Sequence, residues 1–178
     1  VPLVMHLHAV LMGSFLLLVL TQTSLMATGR SEYHMRLGVA AFILAPALVV
    51  VGFVLAPTMY YETWNALQAA PAAERGKLQD LLSIKENILL LQIRVGILFS
   101  LLLVIGWWAR GADAGLHKRM MILAPAMALP AGIDRITWLP TTIPAAPLAI
   151  DFYVMLAVSP MLLWDLIRNR SVHRAYWI

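Results

Sequence analysis

Residues 34–58, HMRLGVAAFILAPALVVVGFVLAPT, decide how this chain folds. Beyond Arg36 the stretch carries no charge, and an apolar run of that length matches the roughly 20 residues a helix needs to cross a bilayer core about 30 Å thick. Runs of the same kind recur on either side. With 36–58 they make five predicted spans, at about 3–27, 36–58, 87–109, 118–139 and 147–168. The 178 residues are 61% hydrophobic and 12% charged, which places them among all-α membrane proteins and away from soluble folds. The expectation is a single integral membrane domain over residues 1–178, built as a bundle of five transmembrane helices. The absence of cysteine excludes disulfide frameworks, thiolate metal sites and cysteine nucleophiles. Because the chain opens on Val1, a short preceding piece is expected to be missing. The run 3–27 is too long for a signal-peptide core and lacks a basic segment before it.

The connection 70–87, APAAERGKLQDLLSIKEN, is the one long link that looks structured. Leu78, Leu81, Leu82 and Ile84 recur at helical spacing, with Lys77, Asp80 and Lys85 elsewhere. The pattern predicts an amphipathic interfacial helix over 72–86. Five spans put the chain ends on opposite faces and sort the charges into two sets. Arg30, Arg36, Arg110, Lys118, Arg119, Arg168, Arg170 and Arg174 share one face with Glu32, Asp113 and Asp165, a net +5. The other face nets −1 within the +4 of the whole chain. Short basic loops stay in the cytoplasm, so the N-terminus is expected outside and the C-terminus inside, in a bacterial inner membrane.

The stretch has an echo. Residues 117–130 read HKRMMILAPAMALP, again with a His-x-Arg opening and Ile-Leu-Ala-Pro further on. Both copies begin a span that leaves the cytoplasmic surface, which is the pattern of a parallel two-helix repeat. Pro46 follows His34 by twelve residues and Pro125 follows His117 by eight. The offset of four is about one helical turn, so the two prolines share a face at different depths.

The residues able to carry chemistry gather near the predicted membrane boundaries. His34, His117 and His173 lie on the inner side, where they serve either as headgroup-level cations or as ligands of a metal or a haem iron converging from different helices. His6 and His8 look like a chelate, but two residues on a helix are about 200° apart, so at most one faces the bundle. Arg94 is a charge inside the third span and needs a partner or a wet cavity. Its candidate partners are Glu86, Asp134 and Asp151. With His8 and Arg135 they form an expected outer polar cluster, read either as an ion-pair network tying helix ends or as a proton, quinone, haem-propionate or anion site. No phosphate-binding glycine loop, hydrolase triad or nucleic-acid module is present in the sequence, and no catalytic residue is assigned.

Several of these motifs resemble those of a widespread group of bacterial polytopic membrane proteins. The shared pattern is His-x-His in the first helix (His6, His8), His-x-Arg-Leu-Gly opening the second (His34–Gly38), His-Lys-Arg-Leu-Met opening a later one (His117–Met121, with Met120 in place of Leu), and Val-His near the end (Val172, His173). The likeness covers most of the chain apart from 59–87 and departs at Ala9, where the group commonly has glycine. It implies a bacterial membrane protein and brings no activity with it. In architecture the chain is also similar to cytochrome-b-type haem proteins and to small assembly factors of respiratory oxidases.

Three functions are open at this point. The first is an accessory or structural subunit packing, among lipid, against other integral subunits of a larger energy-converting complex, respiratory or photosynthetic. The second is a redox protein holding haem b or a quinone through the boundary histidines. The third is a transporter or sensor of a small ion.

Overall fold

A computed structural model describes residues 2–140 and 148–178. Among them the chain is helical, without strands. It divides into two compact units, Val1–Gly96 and Ile97–Ile178.

The first unit begins with α1, Leu3–Ala27, which has no charged residue along its length. Polar side chains near its C-terminal end are satisfied locally: Thr21, Thr23 and Ser24 donate to the carbonyls of Leu17, Val19 and Leu20 at 2.8–2.9 Å. This back-bonding lets hydroxyls sit in an apolar helix. Gly29, with φ of +74°, ends α1, and the Arg30 N–H reaches back to Leu25 O at 2.8 Å. A left-handed glycine is what such a helix stop requires. The predicted span 36–58 is divided. A short helix α2, Ser31–Gly38, precedes α3, Ala41–Ala69, across a tight turn at 39–40. Gly38 before the break and Pro46, which cannot donate to Phe42 after it, weaken the ladder on either side. Helix α3 then runs eleven residues past the predicted boundary at 58, carrying Pro57 within it. Neighbouring helices absorb such a proline in a membrane. Helix α1 packs along α3, burying Phe15 and Leu18 on one side and Ala45 and Leu48 on the other.

The predicted amphipathic helix 72–86 is not a separate element. It forms the opening turns of α4, Ala72–Ala109, whose 38 residues are continuous. At 1.5 Å per residue α4 is about 57 Å long. No glycine or proline between Ser83 and Arg94 stops the helix at the membrane boundary. Within the apolar stripe Leu82 is buried, Leu78 and Ile84 are half-buried and Leu81 is exposed.

The second unit contains the end of α4, then α5, Ala114–Ala126, α6, Leu129–Ile133, and α7, Leu148–Trp164. The predicted span 118–139 is therefore broken. Pro125 and Pro130 each remove a backbone donor, and the chain between α5 and α6 closes in tighter turns, Met127 N–H to Ala124 O and Ala128 N–H to Pro125 O. The predicted span 147–168 corresponds to α7, extended by a π-helical turn at Asp165–Asn169; its first residue, 147, lies outside the described residues. Among the described residues four helical stretches are long and apolar enough to cross a membrane: Leu3–Ala27, Ala41–Ala69, Ala72–Ala109 and Ala149–Asn169.

Candidate functional site

The most connected polar centre lies in the second unit, where α5 starts and α7 ends. Asp113 caps α5, accepting from the Leu116 N–H at 2.8 Å. One turn further in, Arg119 grips Asp165 through two nitrogens, Nε at 2.7 Å and Nη2. Both are buried, Arg119 8% and Asp165 1% exposed. A charge pair this deep is tolerated only when its remaining hydrogen-bonding capacity is met. Here the Tyr176 hydroxyl donates to Asp165 Oδ2 at 2.7 Å and Asn169 Nδ2 to Oδ1 at 2.8 Å, while Arg119 Nη1 donates to Gly115 O at 2.8 Å.

The tail beyond α7 wraps this pair. It carries a left-handed residue at Arg170, φ 49°, and ends in a single 3₁₀ turn, Arg174–Trp177. His173 starts that turn, its Nδ1 accepting from the Ala175 N–H at 3.2 Å. Arg174 donates to Asp113 Oδ2 at 2.7 Å. Ala175 is buried in one cluster with Ala109, Leu116 and Met120. Space at Gly115 is tight: a Cβ there would lie 3.1 Å from His173 Nε2 and 3.2 Å from both Arg119 Nη1 and Asp113 Oδ1, so these side chains would have to give by a few tenths of an ångström. The Leu116 N–H and the Arg174 guanidinium hold the Asp113 carboxyl below the usual carboxylate range. Burial, with Asp165 alongside, raises the Tyr176 hydroxyl above the ordinary phenol.

His117 has a different task. Its Nδ1 lies 2.7 Å from Gly106 O. A carbonyl only accepts, so Nδ1 carries the proton and the electron pair of a neutral ring sits on Nε2. Gly106 O is one of the carbonyls left over at the end of α4; the Arg110 N–H goes to Trp107 O instead. His117 thus closes the C-terminus of α4. The two helices approach closely enough that a Cβ at Gly106 would stand 2.7 Å from Met120 Cβ and 2.5 Å from Met121 Cε.

The remaining expected site residues are divided between the two units. His34 is half-buried on α2 in the first unit, whereas His117 and His173 belong to the second. His8 rests against Gly52 of α3, and its Nδ1 is buried without a hydrogen-bond partner among the described residues. His6 is exposed on the other side of α1, as the two-residue offset requires. Glu86 and Arg94 are exposed on α4 in the first unit. Asp134 and Arg135 are exposed just beyond α6, and Asp151 is half-buried on α7, all in the second unit. Arg135 donates to the Ala131 carbonyl of its own turn. No unit holds the whole expected outer cluster. Among the described residues no group of three His, Asp or Glu side chains is placed to hold a metal ion.

Asp165, Asn169 and Tyr176 were not singled out from the sequence as site residues. The available signal was Asp165 itself, one acid in a segment otherwise rich in arginine. Asp113, directly before a helical stretch, carries a helix-start signature. Compared with models of known protein families, with curated proteins and with solved structures, the chain matches none of them.

Proposed function

We propose that this is a bacterial inner-membrane protein of five crossings, with its N-terminus outside and its C-terminus in the cytoplasm, that works as an accessory subunit packed laterally against a larger membrane complex. The observation that carries the reading is how little apolar surface the chain covers by itself. Only 11% of the apolar window of α1 and 22% of that of α3 is buried. In the second unit, by contrast, two ion pairs, Arg119–Asp165 and Arg174–Asp113, fasten the tail.

Support for a fifth crossing comes from the second unit. Asp113 and Arg174 are hydrogen-bonded, so α5 begins where α7 ends. Helix α7 with its π-turn is about 32 Å long at 1.5 Å per residue over 21 residues. The start of α5 at one end of α7 and the start of α7 at the other support reading 118–139 as a crossing broken by Pro125 and Pro130. The positive-inside bias supports the orientation, and the matched His-x-Arg openings support the parallel repeat.

The test is purification of a tagged chain from its own membranes in mild detergent, followed by oxidised and dithionite-reduced spectra. An accessory subunit emerges in fixed ratio with an energy-converting complex, whose cofactors give the spectrum, and is colourless once separated. A second reading, haem b at His117, is favoured by the bond from His117 Nδ1 to Gly106 O, because ligating histidines characteristically donate their other nitrogen to a carbonyl. A Soret band that stays with the isolated chain and disappears in His117→Ala overturns the accessory reading in favour of this one.

A further inference from the structure

Six basic side chains and two acids gather at the tail end of the second unit: Arg110, Lys118, Arg119, Arg168, Arg170 and Arg174, with Asp113 and Asp165. Both acids are already engaged, Asp165 by Arg119 and Asp113 by Arg174. The same two ties draw residues 110–119 and 165–174 together. Folding thus consumes the negative charge of this end and leaves a net excess of four positive charges, while Arg110, Lys118, Arg168 and Arg170 are all exposed.

Aromatic rings set the depth of two of these cations. The Arg110 guanidinium carbon lies 4.5 Å from the centre of the Trp107 ring, and that of Arg168 lies 5.6 Å from Trp164. Indoles concentrate at headgroup level, and a guanidinium over an indole face is held there with them. Arg170 follows the π-turn in a left-handed conformation that a non-glycine side chain rarely adopts. The turn is anchored by Asp165, which accepts from Arg119, Asn169 and Tyr176. Apolar surface adjoins the cations, with Ile167 75% and Trp164 60% exposed.

We propose that this end of the second unit is a binding site for the headgroup of an anionic phospholipid. The guanidinium groups of Arg168 and Arg170 take the phosphate, whose paired oxygens suit their fork of donors. Lys118 and Arg110 extend the same positive field. Trp164 and Ile167 meet the glycerol and the upper acyl chain, which is why the ligand is a lipid and not a free anion. The inference rests on the membrane reading above and adds a named ligand class to it.

The test offers purified protein equal amounts of phosphatidylglycerol and phosphatidylcholine in neutral detergent and reads retained lipid by native mass spectrometry. Phosphatidylglycerol is retained about tenfold over phosphatidylcholine, and R168Q/R170Q lowers that retention about tenfold, since each surface cation contributes roughly a fivefold factor at most. The charge-matched control K77Q/K85Q on α4 leaves it unchanged. Both variants keep the parent unfolding midpoint. Equal retention of the two lipids, or undiminished phosphatidylglycerol on folded R168Q/R170Q, overturns the site. Displacement of the lipid by excess inorganic phosphate overturns the assignment to a lipid. Recovery of the chain in the membrane fraction is scored on the same preparation, so a failure of the membrane reading is told apart from a failure of this site.

Discussion

The two His-x-Arg stretches begin alike and are built into different surroundings. In the first, Arg36 pairs with Glu32 one turn back on α2, and both side chains are largely exposed, at 74% and 68%. In the second, Arg119 reaches across to Asp165, and both are buried. The helices that follow differ as well: α3 continues for 29 residues, while α5 stops after 13. The same three-residue opening therefore does not fix a role. A single acid, Asp165, placed 46 residues away, turns one arginine into an interior strut. The other pairs with an acid of its own helix.

The largest test of that contrast is removal of each arginine. Arg119→Ala leaves a buried carboxylate without its cation and is expected to cost about 3–5 kcal/mol. Arg36→Ala removes an exposed pair one turn apart and is expected to cost about 0.5 kcal/mol or less. Denaturant unfolding of the two variants in the same detergent gives the difference directly, and equal losses would break the comparison. Next in size is Gly106→Ala, where the new methyl runs into Met120 and Met121. Overpacking of this kind costs about 1–3 kcal/mol, read as a lowered unfolding midpoint with the first unit unchanged.

Smaller effects sharpen the picture of the tail. Tyr176→Phe removes one hydrogen bond to Asp165 and should cost about 1.5 kcal/mol. The Tyr176 hydroxyl is raised in the folded chain, so its contribution is complete below the unfolded phenol value near 10 and is lost as pH rises through the folded one. Wild-type stability should fall on that alkaline side more steeply than that of Tyr176→Phe. Asp113 is lowered, so its contribution is complete above the unfolded value near 4 and is lost as pH falls through the folded one. Asp113→Asn, which keeps a capping side chain, should flatten the acid side of the profile in a pH series of unfolding midpoints.

The long apolar helices were legible in the sequence because length and hydrophobicity alone define them, and 3–27 matches α1 at both ends. What was not legible depends on interactions between distant residues. The amphipathic stripe of 72–86 was read correctly as a helix, but its fusion to 87–109 depends on the absence of any stop signal, a weaker cue than a proline. In 118–139 the prolines were visible, yet how far they break the helix is set by the turns at 127–128. His117 stood out as a boundary histidine, while its partner is a backbone carbonyl, which no side-chain pattern announces. Asp165 and Tyr176 find Arg119 only because the π-turn and the left-handed Arg170 fold the tail back, and neither feature has a sequence signature here.

The count of crossings is the claim on which the orientation, the repeat and the position of the basic tail all depend. With no native cysteine, single substitutions Ala73→Cys, Gly111→Cys and Ser171→Cys can each be probed in intact cells with a membrane-impermeant maleimide. Five crossings predict labelling at 73 and protection at both 111 and 171 until the cells are permeabilised. Labelling at 171 with protection at 111 would mean that α5 and α6 do not cross, and would contradict the five-crossing bundle.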